Sequence, residues 1–296
     1  MKKISAAVFT VMLLVAVNIA EGGNTMFYAV SKTPTPVLST SNFYSVFGGP
    51  SGDELLKERG GLIRQVEFIA LPGTVFKVYG KVKFRGTEFY SVRTDEYPSE
   101  MGDELYVDSR FMETSPVRPK NRIKILQTKK EIIKRMVELE GKPYVWGGNI
   151  RGGVPLLLKF YPPAGNISRE IKKEWILDGI DCSGLLYSAT DGYTPRNTSS
   201  LVTYGKGVRI NGLDAAAIMG KVRPLDILVW KGHVVIILDE KNIIESRQKY
   251  SDGAKGGVRI RPLVAALREV MAERVPCDEY PVNGKAKCFV IRRWYE

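Results

Sequence analysis

Histidine is nearly absent from this 296-residue chain: His233 is the only one. Metal sites built from several histidines are therefore excluded. The three cysteines, Cys182, Cys277 and Cys288, stand too far apart along the chain to read as a zinc cluster with one histidine. Nothing in the sequence calls for a metal or a cofactor. Acidic residues are also scarce, 32 Asp and Glu against 44 Lys and Arg, which leaves a net charge of +12. The basic residues are scattered, with no compact run interleaved with aromatics, so nucleic acid is not an expected partner. No low-complexity tract or internal repeat is present. The longest apolar run, Ile4 to Val17, falls short of the about 20 residues a membrane-spanning helix needs. No cysteine follows that run, which excludes lipid attachment at a mature N-terminal cysteine.

What the N-terminus does have is Met1-Lys2-Lys3, the apolar run and then Asn18-Ile19-Ala20, the layout of a secretory signal peptide over residues 1–20. Export to the periplasm or cell surface is expected, with no stable membrane insertion after cleavage; an uncleaved anchor is the competing reading. A basic exported protein suits an anionic partner such as a cell-wall polymer or membrane surface. In an oxidising compartment Cys277 and Cys288, flanked by Pro276 and the Asn283-Gly284 turn signal, are a plausible disulfide pair. Cys182 is then a leftover thiol, either buried and inert or functional.

Residues 21–42, with Pro34 and Pro36, read as an extended lead-in. From 43 to 115 short β-type runs alternate with turn signals: Val66–Ala70, Val75–Tyr79, Lys81–Phe84, Glu88–Val92 and Leu105–Val107. This spacing predicts a small all-β barrel or sandwich. Glu113 to Pro119 is the expected linker. A second domain, residues 122–296, opens with a helix over 128–140, where Ile132, Ile133, Met136 and Leu139 form a stripe at helical spacing. After Cys182 come strands at 227–230, 233–238, 242–246 and 258–261, a helix at 263–274 and a last strand at 289–295. Helices followed by a run of strands make an α+β signature.

Asp181-Cys182-Ser183-Gly184 precedes an apolar segment that reads as a buried helix, which places Cys182 at a helix N-terminus. The helix dipole and free N–H groups there favour a thiolate and are able to hold an oxyanion. A cysteine nucleophile needs a base that titrates near neutrality, and His233 is the only imidazole available. A third polar residue must orient the ring. If the strands joined by Asp239-Glu240-Lys241 pair antiparallel, Glu245 comes near His233; the alternative is a surface carboxylate on a strand.

Four segments resemble the NlpC-type (NlpC/p-sixty) family of bacterial cell-wall cysteine peptidases. They are Tyr144-Val145-Trp146-Gly147-Gly148, Asp181-Cys182-Ser183-Gly184, Thr194-Pro195-Arg196-Asn197-Thr198-Ser199, and Arg223-Pro224-Leu225-Asp226 leading to Gly232-His233-Val234. The resemblance covers roughly residues 125 to 265. It implies a papain-like domain that cleaves peptidoglycan stem peptides, typically at γ-D-glutamyl to diaminopimelate bonds, with Cys182 as nucleophile and His233 as base. Tyr144 then matches an active-site tyrosine that contacts oxyanion or substrate, with a packed aromatic as the plain alternative. Asp181 and Ser183 match positions that hold a free substrate N-terminus. The β-region resembles the bacterial Src-homology-three-like modules fused to such enzymes. Two departures stand out: the third catalytic position is commonly histidine, where Glu245 stands here, and residues 151–180 are inserted between the tyrosine and cysteine motifs. That insertion is expected to be ordered, to lie near the cleft and to narrow substrate choice. The rival functions are a cell-wall-binding protein without activity and a thiol amidase or acyltransferase on the same fold.

Overall fold

The computed structural model describes residues 26–58, 60–98, 104–281 and 287–296. The expected signal peptide and the Asn283-Gly284 turn lie outside them. The described chain forms two large antiparallel sheets with its helices outside them, an α+β architecture. Among the described residues no helix is long and apolar enough to cross a membrane.

The first sheet comprises β1 (Phe27–Ser31), β2 (Thr35–Leu38), β3 (Val66–Ala70), β4 (Val75–Phe84), β5 (Thr87–Arg93), β6 (Leu105–Asp108) and β7 (Met112–Ser115), in the order β3-β2-β6-β5-β4-β1-β7. Three expectations are corrected here. The residues expected as a lead-in supply β1 and β2, because Ala29, Val37 and Leu38 are fully buried in the core. β2 keeps its proline because it meets β6 at one pair only, Leu38 with Tyr106. Gly80 does not end a strand; it marks a register shift inside the continuous β4. The linker begins later than expected, since β7 pairs with β1 as far as Ser115.

α1 (Lys129–Val137) is capped by the Thr128 side chain and buries Ile132 and Met136. The inserted segment folds as α2 (Leu156–Phe160) and α3 (Arg169–Trp175), and it docks on the first sheet. Tyr161 stacks on Phe47 at 5.3 Å and donates its hydroxyl to Asp108 at 2.5 Å. Trp175 is fully buried and donates its indole N–H to the Tyr161 carbonyl at 2.9 Å. Much of the insertion thus belongs to the core of the β-region.

α4 (Cys182–Ala189) precedes the second sheet: β8 (Lys206–Val208), β9 (Ile227–Trp230), β10 (His233–Ile237), β11 (Asn242–Lys249), β12 (Lys255–Pro262) and, after α5 (Leu263–Glu273), β13 (Cys288–Arg293). Its order is β8-β13-β9-β10-β11-β12. The apolar runs of β9 and β10 are near-continuous because both faces are covered. Ile227, Val229, Val234 and Ile236 face a core shared with α1 and α4, whereas Leu228, Val235 and Ile237 face one shared with α5.

The two sheets are joined by buried polar links. The Asn149 side chain accepts from the Ile69 N–H at 3.0 Å and donates to the Ile69 carbonyl at 2.9 Å. Tyr187 donates to Glu96, which also pairs with Arg122. The expected disulfide is not formed. Cys277 and Cys288 are free thiols whose sulfurs lie near 3.3 Å apart, a thiol contact well beyond the about 2.05 Å of an S–S bond.

Candidate active site

α4 starts at Cys182, and Asp181 is its cap, accepting the Gly184 N–H at 2.6 Å. A side chain at Gly184 would collide with the Gly148 carbonyl oxygen. The first turn of α4 therefore lies directly on the Gly147-Gly148 loop, and the Asp181 N–H bonds to the Gly148 carbonyl at 2.9 Å. Close backbone approach accounts for the glycines in both motifs.

β9 and β10 form a hairpin closed by the Trp230–His233 pair, with Lys231-Gly232 as its turn. Gly232 has φ 110°, a conformation that other residues rarely adopt. β10 pairs with β11 only at Ile236–Ile244 and Ile237–Ile243. At the start of β10 its backbone meets Cys182 instead. The sulfur is 3.9 Å from the Gly232 carbonyl oxygen and takes a hydrogen bond from the Val234 N–H. The thiol thus faces the strand on both sides of His233.

The His233 ring lies 5.2 Å from the Trp230 ring, and its Nε2 is 2.8 Å from Glu245 Oε2. With Nε2 committed to the carboxylate, Nδ1 is the nitrogen left for a thiol proton. Glu245 is fully buried on β11 and accepts two further bonds, from Arg247 Nε to Oε2 and from an Arg261 terminal nitrogen to Oε1, each 2.6 Å. Both arginines also bond Glu269 on α5. Burial pushes the Glu245 carboxyl up, but its bonds to His233 and Arg247 outweigh that and hold it at about 2.

The expected lowering of the thiol by the helix N-terminus does not prevail. Burial pushes Cys182 up to about 12 and the Asp181 charge adds to this, against weaker opposing pulls from Arg196 and the Ser183 and Val234 N–H groups. The sulfur sits between the Gly232 carbonyl and the Val234 N–H, the backbone on either side of His233.

Asp181 and Ser183 are turned inward. Asp181 Oδ2 accepts the Gly147 N–H at 3.0 Å and Arg196 at 2.6 Å, while Oδ1 holds Gly184. The Ser183 hydroxyl accepts from Arg196 at 2.8 Å. Arg196 is itself buried and also donates to Asn149. Their polar atoms fasten the cysteine turn to the Pro-Arg loop. Tyr144 does reach the cleft. Burial raises its hydroxyl pKa, followed by the charges of Asp181 and Cys182, so it stays protonated, and it bonds no group among the described residues.

A cleft of about 550 Å³ is lined by Leu62 and Arg64 from the first half, Tyr144, Trp146, Trp230, Gly232, His233 and the end of α5. A second groove, about 710 Å³, shares Tyr144 and is bordered by Glu170, Lys173 and Glu174 of α3, which brings part of the insertion beside the cleft. The structure thus gathers Cys182, His233, Glu245 and Tyr144. Sequence reasoning missed Arg247, Arg261 and Glu269. Arg247 was detectable as the same-face neighbour of Glu245 two residues on, but Arg261 is set by the β11–β12 register, Ile243 with Arg261. Among the described residues no cluster is placed to hold a metal ion.

The chain is similar to several solved structures. One is an NlpC/p60 family protein from Bacillus cereus, with 15% identity over 94% of this chain and 66% of that chain, TM-score 0.33. A second is the peptidoglycan hydrolase RipB from Mycobacterium tuberculosis, with 19% identity over 57% of this chain and 65% of that chain, TM-score 0.32. A third is RipD from the same organism, described as a non-catalytic NlpC/p60 domain protein adapted to peptidoglycan binding, with 17% identity over 58% of this chain and 100% of that chain, TM-score 0.33. The chain spans just under two thirds of the length of the first two. No family model matches the chain, and no curated protein matches it.

Proposed function

We propose that this chain is an exported cysteine endopeptidase that hydrolyses peptidoglycan stem peptides at the γ-D-glutamyl to diaminopimelate bond. One observation carries the reading: Cys182 opens a helix against the backbone flanking His233, while the far nitrogen of that imidazole is fixed by a buried carboxylate at 2.8 Å. The four motif segments of the sequence add the substrate class.

Burial disfavours a free thiolate, so in this reading the proton leaves as the sulfur attacks. Nδ1 of His233 takes the proton as sulfur bonds to the γ-carbonyl carbon, and Glu245 stabilises the resulting imidazolium. The oxyanion is met by the Cys182 N–H at the start of α4 and by the Tyr144 hydroxyl. His233 then protonates the departing amine and leaves a thioester on Cys182. Water, deprotonated by the same nitrogen, cleaves the thioester and frees a γ-carboxylate. Asp181, Ser183 and Arg196 act as positioning residues.

The test is a defined γ-D-Glu–diaminopimelate peptide, with products read by mass spectrometry. Wild type releases a free γ-carboxylate and a free amine, and Cys182→Ala releases neither while keeping its circular dichroism and melting temperature. Turnover by a folded Cys182→Ala protein refutes the mechanism. A product carrying an added nucleophile identifies an acyltransferase, and binding without turnover by wild type identifies a wall-binding protein.

A further inference from the structure

Two arginines stand at the cleft with their guanidinium carbons over tryptophan rings and no carboxylate partner among the described residues. Arg64, just before β3, lies over the Trp146 ring at 4.2 Å. Arg274, at the end of α5, lies over the Trp230 ring at 4.5 Å. All four residues line the same cleft as His233. The other cleft arginine, Arg247, is consumed by Glu245 and Glu269. A guanidinium held over a ring by its cationic centre and unpaired with a protein carboxylate keeps its N–H groups available for a planar carboxylate in two parallel bonds. Lys249 adds to the positive balance of the cleft, opposed by Glu273.

The two arginines have different neighbours in the cleft. Arg64 and Cys182 both act electrostatically on Tyr144, which lines the cleft with Arg64. Arg274 stacks on Trp230, whose other neighbour is His233. The acyl fragment stays on the sulfur, whereas the leaving amine must face the imidazole that protonates it. We propose that Arg64 and Arg274 are specificity-determining residues, each binding a free substrate carboxylate: Arg64 on the acyl side of the scissile bond and Arg274 on the amine side. The inference rests on the peptidase reading above and deepens it, because it makes the enzyme selective for peptides whose carboxylates flanking the bond are unamidated.

Four synthetic peptides test this, identical except that the carboxylate flanking the bond on each side is either free or converted to carboxamide. Wild type should prefer each free carboxylate by about 10- to 100-fold in kcat/KM, the range of one charged hydrogen-bonded contact. Arg64→Gln should collapse the acyl-side preference and retain the amine-side one, and Arg274→Gln should do the reverse. Equal turnover of all four peptides by wild type, or equal losses on free and amidated forms in the variants, overturns the proposal. Calorimetry of the same peptides on Cys182→Ala protein separates this idea from the hydrolase reading. A carboxylate preference in binding without wild-type turnover sinks the hydrolase alone, and turnover without preference sinks only the arginine assignment.

Discussion

Replacing Glu245 by glutamine probes the site at its most constrained atom pair. Oε2 receives donors from His233 and Arg247, and Oε1 receives one from Arg261. A glutamine amide keeps one oxygen and presents an NH2 in place of the other. In either orientation a donor then faces a donor, in a position with no solvent access. The carboxyl is held at about 2 in the fold against an ordinary 4.5. A depressed carboxyl contributes stability above its unfolded pKa and loses it as pH falls through the folded value. Taken at face value, that difference is worth about 3 kcal/mol near pH 7 and less than half of this at about pH 3. Breaking a buried ion pair from one side costs about 3–5 kcal/mol, which agrees.

Urea unfolding of wild type and Glu245→Gln at a series of pH values from 7 to 3 reads this directly. Other carboxylates titrate alike in both proteins and cancel in the difference. The expected gap is about 3 kcal/mol at neutral pH and narrows towards acid. A gap that stays constant over this range, or one below about 1 kcal/mol at pH 7, refutes the account of a charged, triply bonded carboxylate. Turnover should fall with it, because the imidazolium loses its counter-charge.

Two further outcomes follow from the same geometry. Tyr144→Phe removes one proposed oxyanion donor, so kcat on the stem peptide should fall by about 10²-fold with KM little changed; an unchanged kcat reduces the ring to packing. Gly184→Ala forces a methyl group against the Gly148 carbonyl and should lower the melting temperature along with activity; a variant as stable as wild type contradicts the close backbone contact between the two motifs.

Most of the second sheet was legible because its strands follow simple rules. Ile227–Trp230 and His233–Ile237 are apolar runs of strand length, and Thr128 is a good helix cap, so elements were found to within a few residues. The first sheet was read less well at its start. Prolines at 34 and 36 argue for a loop by local propensity, and what overrides them is burial of Val37 and Leu38, which depends on the distant partners Val66, Phe68 and Tyr106. The insertion is ordered and its second helix lies beside the cleft, as expected, but its role in the first core was not legible. Its helices are visible in the sequence, but nothing local says that Tyr161 and Trp175 complete the aromatic core of the first sheet.

The site divides along the same line. Cys182, His233 and Tyr144 stand in compact motifs whose glycines and cap encode local geometry, so residue identity was enough to select them. Glu245 needed one further step, the antiparallel pairing of neighbouring strands, and the structure makes that contact. What stayed hidden was the charge environment. A helix N-terminus favours a thiolate, but the outcome at Cys182 depends on how completely the sulfur is enclosed and on the carboxylate next to it, and both raise its pKa. Likewise, a buried Glu245 without partners would take up a proton and lose its value to an imidazolium. His233 and Arg247 keep it ionised, Arg261 bonds its other oxygen, and Glu269 in turn neutralises part of the arginines' charge. The charge around the His233 ring is therefore set by four charged side chains brought together by the register of β11 against β12 and by α5. Such an arrangement is a property of the folded network, and reading it requires the sheet.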